Sequence, residues 1–311
     1  MLNKTNLEKM GFSSEDAERI IELNSKYAHI IAPIVKKYTD DIDTEKPFEP
    51  YKDAESGNIA TQRADDFIKD VQTALPELDE YASRLVGWIN CVPFLYETYK
   101  EIGISEELFF DTMKDFSYKL QECKTLHNAF GLFVDWFFII FELKAIALGR
   151  LEFEVKPFGR EEYSCGGYTL KKGEYTYSCH IPSSGKLTMD MCMDSFHRAY
   201  EFFKPQLKGD IIPITSYTWL FYKPYLEKVF AEGSNLKKFA DLFDIIGNFS
   251  SEDNFKDCWR IFNKKYDGTT DNLPADTSLR RSFINYINNG GDFGVGYGIL
   301  FYNGKTKEIL K

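Results

Sequence analysis

Apolar positions follow two different periods along this chain. Up to about residue 145 they recur every three to four residues, the spacing of helices with one buried face. From Gly149 they alternate with polar residues instead. In the first regime, Ser13-Ser14-Glu15-Asp16 stands before an apolar-periodic run over residues 17–23, with a hydroxyl to cap the helix and acids in its first turn. Residues 40–57 are polar and contain prolines, so they read as a loop. Helical spacing returns from Asp65, and Gly103-Ile104-Ser105-Glu106-Glu107 starts another helix with Ser105 as its cap. Residues 129–148 are apolar enough to suggest a membrane span. They carry Asp135, Glu142 and Lys144, however, within the about 20 residues that a span requires. Asp135 and Glu142 lie seven apart, so the stretch is expected to be a core helix with one polar stripe.

The second regime opens at residues 149–155, where Arg150, Glu152 and Glu154 alternate with Leu151, Phe153 and Val155. That predicts a half-buried strand. Gly166-Gly167 and Lys171-Lys172-Gly173-Glu174 bracket a short strand, and residues 175–181 form the next. Thr188 caps a helix with Asp190 in its first turn and Phe196, Tyr200, Phe203 and Leu207 on one stripe. Residues 213–221 are β-like and 224–232 a short helix, while 236–246 and 255–262 read as two more strands. Thr277 caps a last helix that Gly290-Gly291 stops, and residues 293–302 form a final strand. The spaced glycines Gly294, Gly296 and Gly298 precede no helix, so they mark a strand closely approached by other backbone rather than a phosphate loop. The expected class is α+β: a helical N-terminal domain over 1–148, then a mixed, mostly antiparallel sheet with flanking helices over 149–311.

A length of 311 residues is enough for two domains with separate cores. The net charge of −10 and the lack of a basic run argue against nucleic-acid binding. The six cysteines are scattered with no Cys-x-x-Cys pair, which points to reduced thiols and no zinc site. With no apolar leader after Met1, the chain is expected to be cytoplasmic and to have no membrane partner. Aromatic residues make up 16%, which suits thick cores or an apolar cleft.

Several motifs, in order and at matching spacings, resemble a bacterial acyltransferase family with a helical N-acyltransferase N-terminal domain and a GNAT-like C-terminal domain. They begin with Gly103, Ile104, Glu107, Asp111, Thr112 and Asp115, followed by residues 149–154 with Glu152 in place of the family's Gln. Next come His180-Ile181-Pro182, Leu187-Thr188, Ser195, Ala199 and Phe202-Phe203. Trp219-Leu220, Ser234-Asn235-Leu236, Leu273-Pro274 and Thr277-Ser278-Leu279-Arg280-Arg281 complete the set, which covers roughly residues 100–300. The element order from Gly149 is also similar to that of GNAT enzymes.

The resemblance implies transfer of an acyl group, acetyl or another, from acyl-CoA to a small-molecule or peptide amine, with no metal. It places CoA in a wedge between the strand at 175–181 and the strand at 213–221, and the pyrophosphate on the loop Ser183-Ser184-Gly185-Lys186. A glycine, a helix N-terminus and a lysine suit an anion there. The wider GNAT signature Gln/Arg-x-x-Gly-x-Gly/Ala is absent from that loop. His180 is placed as a general base, or else as a strand-end histidine bonded to a carbonyl. Tyr217 stands where the family has His, and Tyr222 or Tyr225 where GNAT enzymes carry a thiolate-protonating tyrosine; the other reading of each is a packed residue. Glu152 with Glu154 would hold the acceptor amine, or form a salt-bridge ladder. Trp219 is a core anchor or a ligand stacker. Asn235 belongs to a turn positioning the next strand or contacts the substrate amide. Cys179 points away from His180 into the core. The alternative function is a catalytically inactive GNAT-like protein that binds a metabolite or partner.

Overall fold

In a computed structural model that describes residues 1–251 and 255–310, the chain forms two compact units. The first comprises Met1–Leu148 with Glu152–Lys156 and Pro182–Ser184; the second comprises Gly149–Leu151, Pro157–Ile181 and Gly185 onward.

The first unit is built on helices α1 (Lys4–Lys9), α2 (Ser14–Asp40), α3 (Ala54–Ala74), α4 (Glu80–Glu101), α5 (Glu106–Met113), α6 (Asp115–His127) and α7 (Phe138–Phe141). Side chains cap the first five: Asn3, Ser13, Asp53, Asp79 and Ser105 each accept a backbone N–H of the first turn. Ser13 and Ser105 are the caps the sequence indicated, while Asp53 caps an α3 that starts eleven residues before Asp65. Trp88 of α4 is fully buried against Phe67 of α3 and stacks on Phe141 at 5.4 Å.

The stretch 129–148 is not one helix. Among the described residues only Phe138–Phe141 is helical there, and β1 (Ala145–Leu148) follows. Two local causes are visible. Gly131 packs so tightly on the Tyr81 backbone that an added Cβ would lie 2.1 Å from its carbonyl carbon, and Leu143 takes a left-handed φ of 55° that ends α7. Asp135 and Glu142 therefore do not share a helical stripe. Asp135 accepts from Arg84 and from the Trp88 indole, whereas Glu142 pairs with Arg63. Strand β2 (Leu151–Pro157) comes next, and its first five residues are all buried. The expected exposed Arg150/Glu152/Glu154 face is therefore absent, because both faces of the strand are covered; Glu154 is neutralised by Lys156 at 2.9 Å.

The second unit contains β3 (Glu162–Cys165), β4 (Tyr168–Lys171), β5 (Tyr175–His180), α8 (Met189–Phe203), β6 (Ile211–Thr218), α9 (Lys223–Lys228), α10 (Asn235–Ala240), β7 (Asp244–Ser250), α11 (Cys258–Phe262), α12 (Ser278–Asn288), β8 (Gly294–Asn303) and β9 (Glu308–Leu310). Its sheet runs β5-β6-β8-β7, with β9 also on β8. The β5–β6 pair is parallel, and the pairs β6–β8, β7–β8 and β8–β9 are antiparallel. The hairpin β3–β4 turns through Gly166-Gly167, both with positive φ, and adds Leu170 to a cluster with Phe158, Ile299 and Phe301 on one sheet face. Helix α8 covers the other face, its Phe203 ring 4.3 Å from that of Tyr177. Thr188 caps α8 by accepting from the Met191 N–H.

Two strand expectations fail in this unit. Residues 235–240 are helical because Ser234 caps them by accepting the Lys237 N–H, so the strand there is confined to β7. Residues 258–262 are also helical, despite β-prone Cys, Trp, Ile and Phe, and Asn263 closes the turn in the left-handed region. The glycine reading of β8 holds. A Cβ on Gly296 would sit 2.3 Å from the Phe221 carbonyl oxygen, and one on Gly294 or Gly298 would strike the Tyr222 or Phe221 ring.

Candidate functional site

Regular strand pairing breaks off early between two neighbouring strands inside the sheet of the second unit. Parallel β5 and β6 pair only at Tyr177↔Ile214 and Ser178↔Thr215. On its other edge β6 stays in register with β8 as far as Thr218↔Gly296. The two parallel strands thus part company beyond Ser178 and Thr215. A side chain fills part of the missing ladder: Ser216 Oγ donates to the Cys179 carbonyl at 2.9 Å.

Counting on from that register, His180 comes level with Tyr217. Tyr177 points at α8, so by strand alternation His180 and Tyr217 lie on the opposite face. His180 is half-buried and Tyr217 is 61% exposed. Cys179, between Tyr177 and His180 in phase with the former, is buried and its thiol is pushed up to about 12 by desolvation. It is core, as its alternation indicated.

Around Tyr217 the fold collects residues that sequence reasoning did not single out. Tyr297 of β8 is its register partner, and the Phe249 ring of β7 is 6.0 Å away and 45% exposed. The Arg160 guanidinium lies over Tyr297 at 5.5 Å. The only advance signal was strand alternation on β8, which puts Tyr297 between glycines that face the other way.

Tyr222 sits elsewhere. Its ring contacts the Gly294–Gly298 face of the sheet, opposite Tyr217, and it is fully buried. Its hydroxyl donates to Asp292 Oδ2 at 2.6 Å and lies 3.1 Å from Ser250 Oγ. Tyr286 donates to the other Asp292 oxygen at 3.0 Å. These bonds hold the Asp292 carboxyl below its usual range, Tyr222 contributing most, while burial raises the Tyr222 phenol. Trp219 opens a 3-10 turn and packs on Phe230 and Phe283 at 5.8 and 6.0 Å, which makes it part of the aromatic core. Asn235 is the first residue of α10, not a turn residue leading into a strand.

The loop before α8 divides between the units. Gly185, with φ of +88° and open space where a Cβ would be, and the exposed Lys186 belong to the second. Their carbonyl oxygens accept from Arg150, Lys186 from Nε at 3.0 Å and Gly185 from Nη2 at 3.3 Å. Arg150 N–H and Leu151 N–H both donate to Ser195 Oγ of α8, tying the strand start to that helix. Ser183 and Ser184 count with the first unit, where the Ser183 hydroxyl donates to Glu122. Glu152, buried in β2, is likewise a first-unit residue. By alternation the structure therefore puts His180 and Tyr217 on the same face of the sheet, keeps Gly185 beside Lys186 within the second unit, and gives Tyr222, Trp219 and Asn235 separate surroundings. Among the described residues no group of His, Cys, Asp and Glu could hold a metal ion, and no helix is long and apolar enough to cross a membrane.

Solved structures that share this fold include an acyltransferase in complex with CoA and 10C-teicoplanin, 18% identical with a TM-score of 0.68. Another is an acyltransferase in complex with decanoyl-CoA, 15% identical with a TM-score of 0.68. In both cases the match covers 94% of this chain and 85% of the other. Among curated proteins, none matches the sequence. The sequence does match the N-acyltransferase N-terminal domain over residues 2–143 and the GNAT-like C-terminal domain over residues 145–300. The chain belongs to the family in which an N-acyltransferase N-terminal domain is followed by a GNAT-like C-terminal domain.

Proposed function

We propose that this protein is an acyl-CoA-dependent N-acyltransferase that acylates the amine of a small-molecule acceptor. The observation that carries the reading is the early end of the β5–β6 ladder beside His180, where the two parallel strands part. An extended pantetheine arm, with its two amides, is suited to a strand edge by strand addition. The N-terminus of α8, the open Gly185 and the exposed Lys186 offer an anion site for the CoA phosphates. Structural neighbours that bind CoA and decanoyl-CoA support the same co-substrate class. The neighbour that holds 10C-teicoplanin supports a small-molecule acceptor.

In this reading the acceptor nitrogen attacks the thioester carbonyl and passes through a tetrahedral intermediate. The N–C bond forms and the C–S bond breaks. His180 takes the proton from the attacking amine, and Tyr217, level with it and exposed, returns a proton to the CoA thiolate. Tyr222 is the weaker candidate for the acid, since its proton is committed to Asp292. Tyr297 and Phe249 give the acceptor an aromatic wall next to Tyr217.

The test pairs binding with turnover. Calorimetric titration with acetyl-CoA and octanoyl-CoA should give saturable binding weakened by Lys186→Ala. Thiol release with an amine panel should fall about 10²- to 10⁴-fold in His180→Ala, with acyl-CoA affinity kept. Absence of binding to either thioester at millimolar concentration would defeat the reading and favour a non-catalytic binding protein.

A further inference from the structure

The β3–β4 hairpin covers only part of the sheet face opposite α8. It closes over Ile299 and Phe301, and its cover reaches as far as the half-buried Tyr297. Beyond it, Tyr217 and Phe249 stand exposed with their rings 6.0 Å apart. They are two of the five large apolar side chains exposed among the described residues, and they adjoin. Single exposed apolar residues are ordinary, but neighbouring rings on an open sheet face suit a ligand. A cation stands at the edge of this shelf. The exposed Arg160 guanidinium lies 5.5 Å from the centre of the Tyr297 ring, within cation–π reach. It also uses the space left by Gly247 of β7, where a Cβ would lie 2.8 Å from Arg160 Nη2 and 2.8 Å from the Phe249 ring. The missing side chain thus lets the guanidinium and that ring close on one spot. Arg160 has no carboxylate within ion-pair distance among the described residues, and Asp244 of the same strand accepts the Tyr163 hydroxyl at 3.0 Å. A guanidinium held by its flat face keeps its N–H fork for a planar anion.

These positions form one row across the sheet. His180 comes level with Tyr217, Tyr217 pairs with Tyr297, and Tyr297 pairs with Gly247. Neighbouring strands lie about 4.8 Å apart, so the row from His180 to Tyr297 crosses about 10 Å. It starts at the base proposed for the reaction, passes the exposed rings and ends at a cation with no counter-charge. We infer, resting on the acyltransferase reading above, that the acceptor is an aromatic acid, with its amine at His180, its ring on Tyr217 and Phe249, and a carboxylate about 10 Å from the amine in the fork of Arg160.

The tripeptide Gly-Phe-Gly is a suitable probe, since three extended residues span about 10 Å. Its C-terminal amide lacks the anion, and Gly-Leu-Gly lacks the ring. Binding of each to the full chain is read by calorimetry, and thiol release from octanoyl-CoA is then followed with each as acceptor. The acid should bind about tenfold more tightly than the amide, the scale of one bidentate pair near the surface. Arg160→Gln should erase that difference, both in binding and in the KM for the acceptor, with the melting temperature kept. Gly247→Ala, which pushes the guanidinium aside with its charge intact, should shrink it. Replacing the ring, by Gly-Leu-Gly or by Phe249→Ala, should weaken binding severalfold. Three results would each overturn the inference: no saturable binding of the acid, equal binding of acid and amide, or a preference for the acid that survives Arg160→Gln. A preference for the acid that Arg160→Gln erases, with no thiol released from any acyl-CoA, would instead defeat the acyltransferase reading and leave the recognition at Arg160 standing.

Discussion

At the residue scale, the informative side chains are those whose neighbours fix their protonation. Asp292 accepts from Tyr222, Tyr286 and Ser250, and these bonds hold its carboxyl below the usual range. A carboxyl depressed in the folded state stabilises the protein above its unfolded pKa, and that contribution is lost as pH falls through the folded pKa. Melting temperature should therefore decline on acidification below about pH 4, the ordinary aspartate range. Asp292→Asn should melt lower at pH 7 and show a shallower acid decline than the parent, as read by calorimetry across pH 2–7. The core position of Cys179 was legible in the sequence because strand alternation assigns faces without knowledge of the partner strand, whereas His180 and Tyr217 were singled out by the resemblance. Asp292 was not, because its role depends on Tyr222 and Ser250, 70 and 42 residues away. The half-buried reading of the strand that carries Glu152 failed for a related reason. Alternation separates two faces, but it does not say that both will be covered.

Among the elements, those announced by a capping residue were the legible ones: α2 by Ser13, α5 by Ser105, α8 by Thr188 and α12 by Thr277. Helix α10 was missed although Ser234 caps it in the same way, because the apolar residues of the strand β7 that follows it made residues 236–246 read as one strand. The single turn of α11 was hidden by residues that favour strands, whose preference tertiary packing overrides. The short α7 was taken for a long helix because neither the close approach of Gly131 to Tyr81 nor the left-handed Leu143 is visible in periodicity. Strand β8 gives a sharp test of close approach. Gly296→Ala forces a methyl against the Phe221 carbonyl, a backbone atom that cannot swing aside, and should destabilise by about 1–3 kcal/mol in urea unfolding. Gly185→Ala meets open space, so it should cost only the strain of its positive φ, about 1 kcal/mol. Thr188→Ala, which removes the α8 cap, should cost about 1 kcal/mol and also weaken acyl-CoA binding.

For the molecule as a whole, the buried free cysteines set the alkaline limit. Burial pushes Cys179 and Cys258 up to about 12 and Cys123 and Cys192 up to about 11. A thiol whose folded pKa is raised holds its proton longer in the native state, so stability is intact below the unfolded value and falls as pH rises beyond it. Melting temperature should begin to drop above about pH 8.5, the ordinary cysteine range, and Cys179→Ser should flatten part of that fall. The same burial should leave all four thiols slow to react with iodoacetamide until the chain unfolds. The class of the whole, a helical part followed by a mostly antiparallel sheet, was legible from the change of period at Gly149, since a shift from 3.6 to 2 marks a change of architecture. The early end of the β5–β6 ladder has a consequence for handling the protein. Unsatisfied parallel strand edge is a template for any extended chain, including another copy of this one. On the function proposed above a bound thioester would cover that edge, so preparations held without acyl-CoA should drift toward dimers and larger species during storage, and added acyl-CoA should act as their preservative.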